Sequence, residues 1–331
     1  MYDAILAQPE AFVSVVADNS QQIKTAQQLI NASQRIFLVG TGTSYHAAWA
    51  AEYIFKNSVK NKRVSSFTAI NFALYGEELS NNDVVMIFSH RGTKKYSLQS
   101  LEKAQQASAK TILITGKQKH IEANIADVVI QTVEQEESSA HTIGYTSALA
   151  IIVGLVNGPL TDLAKILDQS LELEDSIHSQ ADGAKDCRKI WSVGGGPSEV
   201  TAKEVALKIK ETSYTQAEGV GNEELMHGPF QSAEPEDFFI LIAPNGKTQR
   251  RTLELVEAIK AIGANYLIIS DAEFDQMTIT VPVTAEEYTT ISCILPLQLF
   301  SYYLALDKDT NPDNFRLEDP RFAKAAEYIK L

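Results

Sequence analysis

The ten residues Arg35–Ser44, RIFLVGTGTS, have a counterpart in Lys189–Ser198, KIWSVGGGPS. In the first, Arg35-Ile36-Phe37-Leu38-Val39 is a short apolar run that ends at Gly40. Gly40-Thr41-Gly42-Thr43-Ser44 then leads into Ala47, Ala48, Ala50, Ala51 and Ile54 at helical spacing. An apolar run bounded by glycine suits a strand buried on both faces. The unit is strand, glycine turn, helix. In the second, Lys189–Val193 is the strand and Gly194-Gly195-Gly196-Pro197-Ser198 the turn. Pro197 fits the first turn of a helix, and Ala202, Val205, Ala206 and Ile209 form its apolar face.

Working outward, Val84–Phe88 reads as a strand, Ser89–Lys94 as a polar loop and Ser97–Ser108 as a helix. Thr111–Thr115 and Asp127–Thr132 are further strands, and the acidic Glu134-Gln135-Glu136-Glu137 closes the sheet. The second half offers Phe238–Ala243, Tyr266–Ser270 and Thr278–Val283 as strands, followed by Glu286-Glu287. Gly40 and Gly194 lie 154 residues apart, Glu137 and Glu287 150 apart. Alternating strands and helices imply a parallel sheet covered on both faces, so the expected class is a duplicated α/β domain. Residues 1–34 read as one or two helices, and polar, acidic Leu167–Ala184 as the connector.

A chain of 331 residues suits about two domains. A hydrophobic content of 44% and a charged content of 21% are ordinary for a soluble globular protein. The net charge of -13 argues against a nucleic-acid partner. It leaves room for a phosphate ligand held by backbone N–H groups and hydroxyls. Cys187 and Cys293, with no C-x-x-C, are expected as buried free thiols in a reducing cytoplasm. The start, MYDAILAQPEAF, lacks the basic region of a signal peptide. Ser138–Thr161 and Tyr288–Leu306 are uncharged and about as long as a spanning helix. Their internal polar residues and prolines favour helices buried in a protein core over membrane spans.

Four segments offer chemistry. Gly40–Ser44 presents free N–H groups and the hydroxyls of Thr43 and Ser44 to an anion, or is glycine-rich for steric reasons only. Ser89–Lys94 follows a buried strand, where α/β sheets bind ligands, and Arg91 or Lys94 can pair with phosphate. Ser138–Thr142 is hydroxyl-rich at a helix start, as caps are. In the helix after Gly196, Glu204, Lys208 and Glu211 share one face. Such a stripe reads as a solvated, salt-bridged surface or as a proton-transfer site with His227.

The order of the motifs carries more than any one of them. Gly42-Thr43-Ser44-Tyr45-His46, Leu207-Lys208-Ile209-Lys210-Glu211-Thr212-Ser213-Tyr214, Ala217-Glu218 and Glu224-Leu225-Met226-His227-Gly228-Pro229 follow the leader Ala4–Pro9. Together they closely resemble the tandem sugar isomerase (SIS) domains of the glucosamine-6-phosphate synthase family, over nearly the whole chain. The resemblance implies two tandem SIS domains, each a three-layer αβα sandwich with a mainly parallel sheet. These would span 31–170 and 180–310, with a helical segment over 1–30 and a tail over 311–331. It implies a phosphorylated sugar as ligand, with phosphate on the loop of Ser89, His90, Arg91, Gly92 and Lys94. Thr43 and Ser44 would lie near the sugar hydroxyls or phosphate, and Ser139, His141 and Thr142 would line the sugar. Glu211 would move a proton between C1 and C2, with Lys208 close by. His227 would assist ring opening from the other subunit of a homodimer with shared active sites. No cofactor, metal, nucleic acid or membrane is implied.

This chain also departs from the family pattern. Where the family shows Ser-Gln-Ser-Gly-Glu-Thr, Ser89-His90-Arg91-Gly92-Thr93-Lys94 keeps only the serine and the glycine and is more cationic. The family's Ala-Ser-Thr-Lys is Ala140-His141-Thr142-Ile143. Nothing resembles the family's glutaminase domain, so glutamine hydrolysis is not expected of these residues. Pro320-Arg321-Phe322-Ala323-Lys324 is one residue shorter than the family's tail. Lys324 is therefore either the Schiff-base lysine or an exposed lysine on a terminal helix. The reading is aldose–ketose isomerisation of a hexose phosphate or amino-sugar phosphate, with or without ammonia or amine release or transfer. The alternative is a non-catalytic sugar-phosphate sensor.

Overall fold

The chain carries two five-stranded parallel sheets, seen here in a computed structural model that describes residues 1–117 and 125–329. The first sheet holds β1 (Arg35–Gly40), β2 (Arg63–Thr68), β3 (Asp83–Phe88), β4 (Lys110–Thr115) and β5 (Val128–Gln131). Their order is β2-β1-β3-β4-β5. The second holds β6 (Ile190–Gly194), β7 (Ala217–Gly221), β8 (Phe238–Ile242), β9 (Asn265–Ser270) and β10 (Thr278–Thr280). Its order, β10-β9-β8-β6-β7, is the same winding, so the duplication read from the sequence is a duplication of topology. β2 and β7 were not expected. RVSSFT and AEGVG carry too few apolar residues to signal a buried strand, because each lies at a sheet edge.

The first sheet shows why the sandwich forms. Successive strand residues face opposite sides. Phe37, Val39, Val85 and Ile87 pack with Phe72, Leu101 and Ala104 from helices Ala69–Tyr75 and Lys95–Gln106. The alternate residues Ile36, Leu38, Val84 and Met86 are fully buried too. Helix Thr43–Ser58 packs along β1 and against Ile143–Leu155.

The two glycine turns have nearly one geometry. Gly42 has φ 59°, ψ −132°, and Gly196 has φ 58°, ψ −128°, a region in which side-chain-bearing residues are strained. A Cβ on Gly40 would lie 2.3 Å from the Ser44 carbonyl oxygen, and one on Gly194 2.4 Å from that of Ser198. Glycine here lets the helix start close against the strand end.

Two compact units emerge. Among the described residues, one comprises Ala7–Glu136 and His141–Ala164; the other comprises Met1–Leu6, Glu137–Ala140 and 165–329. The N-terminal region forms three helices, Tyr2–Leu6, Gln8–Asp18 and Ser20–Ala32, rather than one or two. The expected connector is also helical, Leu160–Leu171 then Glu174–Ala184. Ile177, Ala181 and Ala184 are buried, so its acidic composition marks only the outer face. Residues 286–307 pass a membrane-span test by length and composition, yet 83% of that window is buried in the structure, as in a core helix. Both cysteines are free; Cys293 is buried and Cys187 only half-buried. Burial pushes their thiols up to about 12 and about 11, away from the thiolate needed for nucleophilic or metal chemistry.

Each half also repeats an ion pair. Arg35 Nε and Nη2 donate to Asp83 Oδ1 and Oδ2 at 2.8 and 2.7 Å. Arg188 meets Asp237 in the same fork, at 2.8 Å twice. Burial alone would raise the Asp83 carboxyl. The Arg35 guanidinium and the Ser80 donors outweigh it and hold the group below its ordinary value. A lowered folded pKa stabilises above the unfolded value and is lost as pH falls through the folded one. Asp83→Asn should therefore cost on the order of 1–3 kcal/mol at neutral pH, and progressively less as the medium is acidified through the lowered folded value. Urea midpoints of both proteins across that range test this; a pH-independent difference would show that the charge is not what matters.

Candidate functional site

In the first unit, three segments of interest leave the C-terminal ends of strands β1, β3 and β5, the edge where open parallel sheets bind ligands. Thr43 and Ser44 open the helix after β1 and are half-buried. After β3 the chain turns tightly, with Gly92 N–H donating to the Ser89 carbonyl at 2.9 Å and Gly92 at φ 68°. Ser89 is buried, and its hydroxyl has no hydrogen-bond partner among the described residues. Arg91 is exposed and Lys94 half-buried. Burial and then the Arg91 charge push the Lys94 ammonium below its ordinary value. Burial, again assisted by Arg91, holds His90 at about 4, so it is neutral at physiological pH.

The third loop corrects an expectation. The hydroxyls of Ser138–Thr142 do not cap helix Ile143–Leu155. Glu136 does. Its carboxylate accepts the Thr142 N–H at 2.8 Å, the Thr142 hydroxyl at 3.2 Å and the Gly144 N–H at 2.8 Å. A carboxylate suits the positive end of a helix better than a neutral hydroxyl. Thr142 is thereby fully buried, and His141 lies beside the carboxylate, Nδ1 to Glu136 Oε1 3.8 Å. Ser139 belongs to the other unit, where its N–H donates to the Asp313 carbonyl at 2.8 Å.

In the second unit, helix Pro197–Thr212 carries the stripe Glu204, Lys208, Glu211. It is not a solvated surface. Glu204 and Lys208 are both 0% exposed. Lys208 Nζ lies 3.5 Å from Glu204 Oε1 and 2.6 Å from Glu211 Oε2. Helix Ile294–Asp307 and the turn before it cover this face. Glu211 alone of the three reaches open space, a cavity of about 450 Å³ lined also by Lys210, Tyr214, Thr215, Gln216, Phe315, Arg316 and Phe322. Sequence reading named none of these others as site residues. Arg316 spans the cavity wall, its guanidinium 4.1 Å from the Phe322 ring centre and 5.2 Å from that of Tyr214. Tyr214, Phe315 and Arg316 have φ of 57°, 52° and 62°. Bulky residues rarely adopt that region, and such strain clusters at functional sites.

The remaining sequence candidates lie apart from that cavity. His227 follows helix Asn222–Met226 with its side chain 73% exposed, Nε2 2.9 Å from Glu223 Oε1. Arg251 and then His227 hold the Glu223 carboxyl down at about 2. Lys324 is exposed on helix Pro320–Ala326, two residues beyond the cavity-lining Phe322. The Gly194–Gly196 turn is filled by its own chain, for Thr248 Oγ1 donates to the Gly195 carbonyl at 2.9 Å. A Cβ on Gly195 would strike Asn222 and Thr248 at 2.8 Å. A Cβ on Gly42 would meet nothing within 4 Å among the described residues, and one on its counterpart Gly196 only Thr248 Cγ2 at 3.9 Å.

Comparison with known proteins identifies the family and the fold. The SIS domain family model matches residues 28–157 and 185–306. A glutamine–fructose-6-phosphate aminotransferase from Pyrococcus horikoshii is 29% identical over 96% of this chain and 56% of its own length. The chain thus spans about half the length of the curated relatives it matches. Among solved structures, the C-terminal domain of glucosamine-fructose-6-phosphate aminotransferase from Francisella tularensis superposes with a TM-score of 0.85 at 22% identity, covering 95% of this chain and 97% of that one. Tagatose-6-phosphate ketose/aldose isomerase from Escherichia coli gives 0.81 at 17% identity, covering 94% and 93%. These two establish the fold. The chain belongs to the SIS domain family.

Proposed function

We propose that this SIS-domain chain is a phosphosugar isomerase that interconverts aldose and ketose forms of a hexose phosphate or amino-sugar phosphate. One observation carries the reading. Glu211 faces a cavity while its carboxylate is held 2.6 Å from the ammonium of a fully buried lysine. A buried lysine is costly to maintain for structure alone. Here it fixes one carboxylate at the edge of a ligand-sized space.

The chemistry follows from that placement. Isomerisation moves one proton between C1 and C2 of the open-chain sugar through an enediol, or an enolamine where C2 bears nitrogen. Glu211 takes the proton from one carbon and returns it to the other. We assign the phosphate to the Ser89–Lys94 loop, because the Ser89 hydroxyl has no hydrogen-bond partner among the described residues and Arg91 and Lys94 supply two charges. With an amino sugar as substrate, the same proton transfer gives an imine, which water hydrolyses to a carbonyl and ammonia or an amine. His227 acts in ring opening from the second subunit of a homodimer. Lys324 acts as a Schiff-base lysine toward the open ketose.

Deuterium exchange from solvent tests this directly. The panel contains fructose 6-phosphate and tagatose 6-phosphate, named in the relatives, together with glucosamine 6-phosphate and fructosamine phosphates. The expected result is solvent deuterium at C1 or C2 of at least one member, with ammonia or amine followed in parallel. Thermal stabilisation by these sugars without exchange in any of them would favour the sensor instead.

A further inference from the structure

We propose that His90, Glu136 and His141 form a binding site for a divalent transition cation of the zinc class. One candidate ligand atom from each lies within 4.8 Å of the other two. The two imidazoles meet edge to face with ring centres 4.7 Å apart. Glu136 Oε1 is 3.8 Å from His141 Nδ1, and the Glu136 N–H donates to His90 Nε2 at a long 3.4 Å. Two imidazoles and a carboxylate are a donor set that zinc and its neighbours prefer, and three protein ligands leave a position open for water or an anion oxygen.

The surroundings are those of a built site. The Glu136 side chain is only 3% exposed. Its orientation is fixed by the Thr142 and Gly144 N–H groups, as outer partners fix metal-binding carboxylates. Space for the His90 ring is made by two glycines. A Cβ on Gly116 would lie 2.7 Å from His90 Cε1, and one on Gly144 2.9 Å from Glu136 Oε1 and 3.1 Å from His90 Nδ1. Next to His90, the buried Ser89 hydroxyl lacks a partner among the described residues. Zinc–nitrogen bonds of about 2.0–2.1 Å bring ligand atoms to roughly 3.3 Å apart, so ligand atoms that lie within 4.8 Å of one another must close by at most about 1.5 Å. The long N–H contact to Nε2 competes weakly with a metal for that lone pair.

Both histidines stand at departures from the family pattern, His90 in place of a glutamine and His141 in place of a serine. Neither departure suggested a metal, and the sequence reading expected none. They are 51 residues apart and show no ligand spacing. The fold brings them together because both loops leave the same edge of one sheet.

The test uses tag-free, metal-stripped protein and no sugar, so it stands or falls separately from the isomerase reading. Zinc titrated by calorimetry should bind at one equivalent per chain with a micromolar or tighter Kd, and cobalt should give visible absorption bands. His90→Gln and His141→Ser should each weaken zinc at least tenfold, with the far-ultraviolet circular dichroism unchanged. In the wild-type protein, cobalt should shift ring resonances of two of the six histidines. No stoichiometric zinc binding, no shifted histidine pair, or equal affinity in a folded double variant would overturn the site.

Discussion

Glu211→Gln is expected to lower isomerase turnover by about 10²–10⁴-fold, the range for loss of a positioned general base. Sugar-phosphate binding should change less than about threefold. Glutamine keeps the shape of the side chain and can still accept a hydrogen bond from Lys208, now 2.6 Å from the Glu211 carboxylate. It cannot take a proton from carbon. The loss should therefore fall on kcat, because an interaction made only in the transition state has been removed. Solvent-deuterium exchange must fall in step with turnover, since both need the same proton abstraction. If Glu211→Gln exchanged deuterium at the wild-type rate, another group would be the base. If KM rose with kcat unchanged, Glu211 would be a binding residue.

Much of this was legible in the residues, for reasons that also explain what was not. Strands such as Phe37–Val39 and Phe239–Leu241 are buried on both faces, so continuous apolar runs announce them. Edge strands β2 and β7 need no such run and gave no signal. The Glu204–Lys208–Glu211 stripe was visible at helical spacing, but periodicity cannot tell a solvated face from a covered one. That depends on helix Ile294–Asp307, about ninety residues later in the chain. Glu136 was seen as part of an acidic stretch and not as a cap, because its partners at Thr142 and Gly144 depend on the loop's path. Arg316 and Phe315 have no periodic pattern at all. Their place beside Glu211 follows from the course of the tail after Asp307.

Lys208→Met should destabilise the second unit by about 3–5 kcal/mol. The lysine is 0% exposed, and so is Glu204, 3.5 Å away. Without the ammonium, a buried carboxylate must stay charged without its lysine or take up a proton. Either is far costlier than losing a surface ion pair, which is worth about 0–1 kcal/mol. Glu204→Gln in the same chain removes the stranded charge. The double variant should then recover at least half of the loss, since replacing a whole buried pair is often nearly neutral. A double-mutant cycle on thermal or urea unfolding reads this coupling. Equal deficits in the single and double variants would show that packing around the lysine stem, not charge, sets the cost. The rescued double variant also separates stability from chemistry. Folded and close to wild type in stability, it still lacks the ammonium beside Glu211, so its turnover should stay at least tenfold below wild type. Restored activity would mean that the lysine is kept for the fold alone.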